Sequence, residues 1–291
     1  MDRVYDKCCG IDVHKKLIVA CFKNGNKQEI RDFGATTREL FDMADWLKKG
    51  DCEMIAMEST ASYWKPLYNI LETCELQVMV VNARHMKAVP GRKTDIKDAE
   101  WIADLLQHGL LTASYIPDRE QRELRELVRY RKSLVGERNR ELNRLQKMLE
   151  GANIKISGTI TDINGKSARN ILEHILSGKQ IDSAEYDVLY KQKVIAHNLK
   201  ATKEQIIDDL NGVMSELQKK MMRVLLNHLD ELNIHIKELD DDINNFMKPD
   251  QKQAVAVIQD IPGIGNTSAQ AIISVIGTDM KRFPTDAHIA S

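Results

Sequence analysis

The chain has 291 residues, 43% hydrophobic and 29% charged, with 42 Lys and Arg against 43 Asp and Glu. Those proportions exclude a disordered or fibrous polypeptide, and no apolar run approaches the roughly 18 residues of a membrane span. The opening MDRVYDKCCGIDVHKK is no signal peptide. The five cysteines (Cys8, Cys9, Cys21, Cys52, Cys74) contain no CxxC pair, so they read as reduced packing residues of a cytoplasmic protein.

In chain order, KCCGIDV and LIVACFK are short apolar runs separated by HKK, and KQEIRDF alternates, which predicts a three-strand meander. TTRELFDMADWLKKG has the period of an amphipathic helix stopped by Gly50. EMIAME reads as a buried strand, SYWKPLYNILETC as a helix and LQVMVVN as another buried strand. A meander followed by alternating helices and strands predicts an α/β domain over residues 1–115, a mixed sheet with flanking helices. GRKTD is a loop, after which Thr94 or Asp95 starts a helix through KDAEWIADLL. At about 100° per residue, Asp95 and Asp98 fall on the stripe of Ala99, Ile102, Leu105 and Leu106. Glu100 and Asp104 fall on the opposite side with Lys97. Inward carboxylates need a partner, whether arginine, a helix terminus or a metal ion, because an isolated buried charge costs several kcal/mol or more.

From about residue 118 the character changes to helix, predicting a helical coiled-coil region over 116–250. One long helix covers DREQRELRELVRYRKSLVGERNRELNRLQKMLEG, its apolar seam interrupted by Arg131 and Arg138. A second runs from about Val213 to Met247, where Leu225, Leu229, Leu232, Ile236, Leu239, Ile243 and Phe246 step by four and three. That spacing predicts a coiled coil, as an antiparallel hairpin or a dimer zipper. Residues 151–211 between them read only as short helices and turns. In 251–291, VIQDIPGIGNTSAQAIISVIG has the form of a helix–hairpin–helix around Pro262, Gly263 and Gly265, whose second helix offers free N–H groups to a phosphate.

Charge is segregated despite a net charge of −1. Between Arg84 and Lys97 five basic residues, Arg92 and Lys93 among them, meet one acid, Asp95. Between Arg119 and Lys147 ten basic residues meet five acids. Arg122, Arg125, Arg129, Arg131, Lys132 and Arg138 of this helix are the candidate contacts to nucleic-acid phosphates. His14, Lys15 and Lys16 follow Asp12 at a turn and read either as inert exposed turn residues or as groups that approach a scissile phosphate. Tyr63 and Trp64 suit either base stacking or packing of helix on sheet.

Two more carboxylates stand where sheet enzymes place chemistry: Asp12 near the end of the first strand and Glu58 at the end of EMIAME. With Asp95 and Asp98 they form an oxygen-only set from separate elements, suited to Mg2+ or Mn2+ and phosphodiester displacement if they converge at one sheet edge.

GIDVHK, MESTASYWKPL, NARHMKAVPGRKTDIKDAEWIADLL and IPGIG, in this order, resemble the DEDD transposases of bacterial insertion sequences of the IS-one-ten type, the bridge-RNA-guided recombinases. The resemblance implies a RuvC-like, ribonuclease-H-type N-terminal fold whose metal-binding catalytic tetrad matches Asp12, Glu58, Asp95 and Asp98. It also implies a coiled coil for dimer assembly and RNA binding, a C-terminal transposase domain, and DNA partners joined at a target chosen by a structured guide RNA. A homo-oligomer, dimer or tetramer, is expected, with no membrane partner. The family's serine nucleophile lies in a Ser-Gly context beyond the helix–hairpin–helix; Ser268 and Ser274 lie within that motif, and Ser291 is the last residue. The expectation is therefore a chain without that nucleophile, C-terminally truncated. A RuvC-like junction endonuclease and a non-catalytic RNA- or DNA-binding protein stay open as alternatives.

Overall fold

The computed structural model describes residues 3–59, 61–82, 98–156, 163–193, 195, 201–283, 285 and 289, the side chain of Ser167 excepted. Asp95, Arg92 and Lys93, and with them the expected helix start, lie outside the described residues. The chain divides into two compact units, residues 1–117 and 118–291.

The first unit is a five-stranded mixed sheet with helices on both faces, consistent with the expected RuvC-like α/β architecture. Strands β1 (Lys7–Val13), β2 (Leu17–Asn24) and β3 (Lys27–Gly34) form the antiparallel meander, and β4 (Met54–Glu58) and β5 (Val78–Val81) add in parallel on the other side of β1. The strand order is β3-β2-β1-β4-β5. Central β1 is covered on both faces, so its apolar run does not alternate: Cys8, Cys9 and Ile11 are all fully buried. On one face α1 (Thr37–Lys49) and α2 (Trp64–Thr73) set Leu40, Met43, Leu47, Leu67 and Leu71 against Cys9, Ile11 and Ile55. Thr36 caps α1 in reciprocal contact with Glu39, and Gly50 ends it as expected.

The other face is covered by α3 (Asp98–Gln107), whose Ile102 and Leu106 pack on Cys8, Ala56 and Val81. A Cβ at Gly10 would stand 2.2 Å from the Ala103 nitrogen and 2.4 Å from the Ala99 carbonyl oxygen, so glycine lets the helix backbone rest directly on β1. The Val4 N–H donates to the Gln107 carbonyl at 2.9 Å, so α3 runs back along β1 with its first turn at the strand's C-terminal end.

The expected burial of Asp98 is corrected here. It lies on the stripe of Ala99, Ile102 and Leu106, yet it is exposed. The stripe fixes an angular position, and the first turn of α3 stands at the strand end, where the covering surface runs out. Asp104, expected among the solvent-facing residues, is half-buried and ion-paired with Lys23 of β2.

In the second unit α4 (Arg119–Gly151) and α8 (Glu216–Phe246) pack lengthwise and antiparallel. Leu124 and Val128 meet Ile243 and Met247, Leu134 meets Leu232 and Ile236, and Leu145 and Leu149 meet Met222, Leu226 and Leu229. The four-three seam holds over Leu229, Leu232, Ile236 and Ile243; at its ends Leu226 and Met247 are buried where Leu225 is half-buried and Phe246 exposed. Short helices α5 (Lys166–Leu176), α6 (Ser183–Lys191) and α7 (Lys203–Leu210) close an apolar cluster around Leu145, Leu172, Leu189 and Leu226. Helices α9 (Pro249–Gln259) and α10 (Asn266–Ile276) pack against the start of α4 through Val255, Ala269 and Ile273.

Candidate active site

Alternation along β1 puts Cys8, Gly10 and Asp12 on the α3 face, and the same alternation along β4 puts Met54, Ala56 and Glu58 there. In the parallel pairing Ile11 lies beside Met57, the last pair of the ladder, and Asp12 and Glu58 each follow by one residue at the C-terminal ends of their strands. The carbonyl of Ala99 stands over Gly10, two residues before Asp12, which puts Asp98, the residue before Ala99, at the same end. Three carboxylates thus reach one edge of the sheet from three elements. Asp12 is 17% exposed at its side chain and is bonded to His14, whose Nε2 stands 3.0 Å from Asp12 Oδ2. Among the described residues, no three His, Cys, Asp or Glu side chains are close enough together to hold a metal ion. Asp95, the fourth expected member, lies outside them.

The donor chemistry at this edge is carboxylate oxygen, which fits a hard cation such as Mg2+ or Mn2+. Burial raises the nearby thiols of Cys8 to about 12 and Cys21 to about 11, and it pushes Cys9 well above its ordinary value. All five cysteines are free.

The basic residues of α4 separate into two groups. Arg125 donates through Nη2 to the Val275 carbonyl at 2.8 Å and through Nε to Ser274 at 3.3 Å, and Gln121 donates to the Ile273 and Ser274 carbonyls at 2.7 and 2.8 Å. These four bonds satisfy the carbonyl end of α10, which Gly277 terminates at φ +72. Arg131 is ion-paired with Asp240 across the helix pair at only 12% exposure, and Arg138 Nη1 reaches Asn233 Oδ1 at 3.5 Å. The two arginines that interrupt the apolar seam therefore face polar partners on α8. Arg122 is half-buried with a partner of its own, while Arg129 and Lys132 are exposed. Sequence pattern alone missed Gln121, a buried polar residue with no periodic signature, and missed the reach of Arg125.

Lys15 is exposed on the β1–β2 turn, Trp64 packs into the core edge-on to Tyr68, and Tyr63 stays 42% exposed. Gly263 sits at φ +89 in the exposed turn between α9 and α10, and an added Cβ at Gly263 or Gly265 would meet nothing within 4 Å. Pro262 beside them is also exposed.

A family model described as a transposase, of the DEDD type of IS110 elements, matches residues 9–154. The chain belongs to the IS110-type DEDD transposases. The match takes in β1 through α4, and with them Asp12, Glu58 and Asp98. As a member of this family the chain is an insertion-sequence transposase, an enzyme of DNA recombination with DNA as its partner. No curated protein matches it. No helix among the described residues is long and apolar enough to cross a membrane.

Proposed function

We propose that this transposase is an RNA-guided recombinase in which Asp12, Glu58, Asp95 and Asp98 are the catalytic tetrad of a RuvC-like domain over residues 1–115. The observation that carries the proposal is the family match from residue 9 to 154, a span that contains all four carboxylates. The place of Asp12 and Glu58, one residue beyond the paired Ile11 and Met57, and the position of Asp98 at the same sheet edge support it. Asp12 and Glu58, from rigid strands, would hold Mg2+ or Mn2+ together with Asp95 and Asp98. Such an ion, when bound, supplies charge neutralisation at the scissile phosphate and a lowered pKa for an attacking oxygen. His14 orients the Asp12 carboxylate through its 3.0 Å contact, and Lys15 on the same turn pairs with a non-bridging phosphate oxygen. We assign the nucleophile to none of Ser268, Ser274 and Ser291.

The region 116–250 is proposed as the coiled coil for dimer or tetramer assembly and guide-RNA binding, with Arg129 and Lys132 the exposed phosphate contacts. Residues 251–291 supply a helix–hairpin–helix, with Pro262, Gly263 and Gly265 in the turn that approaches a DNA backbone. The test is to purify the chain from cells carrying its element, sequence the bound nucleic acid, and assay cleavage of element-end DNA with and without Mn2+. One enriched structured RNA and metal-dependent cleavage lost in Asp12→Asn are expected. RNA-independent cutting of branched DNA would instead make it a junction endonuclease. Retained affinity with no cleavage under any metal would make it a binding protein.

A further inference from the structure

Around the sheet edge from the carboxylates, on the α1–α2 side, lies a cleft of about 240 Å3. Its floor is apolar: Ile18, Leu40 and Leu67 are buried core residues. Its rim carries His14, Lys15 and Tyr63, and none of its described lining residues is acidic. An apolar floor with a cationic rim and an exposed aromatic edge suits a flat, amphipathic anion. His14 belongs both to this cleft and to the acidic edge, because its Nε2 stands 3.0 Å from Asp12 Oδ2. The cleft and Asp12 therefore lie one side chain apart.

A second observation comes from the loop that delivers Tyr63. Between Glu58 and α2 the backbone bends through Ala61 at φ +48, a left-handed conformation that a residue with a Cβ seldom adopts. Tyr63, two residues on, is 42% exposed, while Trp64 next to it is half-buried against the core. Packing of helix on sheet thus accounts for Trp64 and not for Tyr63.

We propose that this cleft is a subsite for an unpaired DNA nucleotide flanking the phosphate presented to Asp12 and Glu58, its base stacked on Tyr63 and its phosphate paired with Lys15. The inference rests on the reading of the acidic edge as the catalytic centre. It adds that the strand is locally unpaired when it reaches that centre, since a base within an intact duplex has no free face to offer a tyrosine.

The experiment uses the full chain in EDTA with short DNA of mixed sequence carrying 2-aminopurine, single-stranded or annealed, and follows anisotropy and 2-aminopurine quenching. Tyr63→Ala should weaken single-strand binding roughly 5- to 100-fold, the factor one base–aromatic stack contributes, and abolish the quenching, with duplex affinity within about twofold. Tyr63→Phe, which keeps the ring, should bind as the parent does. Lys15→Ala should flatten the salt dependence of single-strand binding by about 0.7, one phosphate contact. Unchanged single-strand binding and quenching in a Tyr63→Ala protein that melts normally would overturn the proposal. So would an equal loss for duplex, or an RNA strand of the same sequence held more tightly than DNA. Because no metal enters this assay, its failure would leave the acidic centre standing. Loss of Mn2+ binding by Asp12→Asn, in turn, says nothing about this cleft.

Discussion

Gly10 sets how near α3 lies to the strand that carries Asp12. With the Ala103 nitrogen 2.2 Å from an added Cβ, even alanine forces helix and strand apart, and neither backbone can yield cheaply. Gly10→Ala should lower stability by about 3 kcal/mol in urea unfolding and misplace the start of α3 at Asp98. Wild-type stability in that variant would mean that α3 is not seated on β1 as described. The buried thiols make a separate prediction about pH. Cys8 and Cys52 ionise near 12 in the folded chain against an ordinary 9.0, and Cys21 near 11, chiefly through burial. A folded-state value above the unfolded one contributes stability that is fully present below pH 9 and is lost as pH rises toward 12. Melting temperature should therefore fall over that window, and replacing Cys8 with Ala should flatten part of the fall.

Among the elements, α4 does two jobs with one residue type. Arg131, 12% exposed and paired with Asp240, belongs to the helix pair; Arg129, two positions earlier, faces solvent. Arg131→Ala should cost about 2 kcal/mol in stability, because it removes the pair with Asp240 and the packing of the arginine stem in the seam. Arg129→Ala should stay within about 0.5 kcal/mol of wild type in melting while weakening nucleic-acid binding in filter assays. The reverse pattern would exchange their roles. The strands and the two long helices were legible because their apolar residues repeat at 2, 3.5 or 3.6, or run unbroken. Helices α6 and α7 were not, since they are only 9 and 8 residues long and bury two side chains each, too few to show a period, whereas α5 carries a helical stripe in Ala168, Ile171, Leu172, Ile175 and Leu176 that the reading of 151–211 passed over. For Asp98, periodicity gave the angle around α3 but not the place where the sheet beneath it ends.

For the whole molecule, the family match joins the sheet unit to the long helix α4 in one transposase sequence pattern, and the candidate site depends on topology that spacing alone does not contain. Asp12 and Glu58 are 46 residues apart in the chain and come to the same end of adjacent strands only because β4 adds in parallel to β1. That the tetrad binds metal is the central claim, and it is tested most directly by titrating Mn2+ calorimetrically into the full chain, into Asp12→Asn and into Asp95→Asn. The account predicts saturable binding that weakens sharply in both variants, with melting curves unchanged in the absence of metal. Mn2+ affinity that is the same in all three proteins would contradict it, leaving these carboxylates as cap and ion-pair residues at the edge of a sheet.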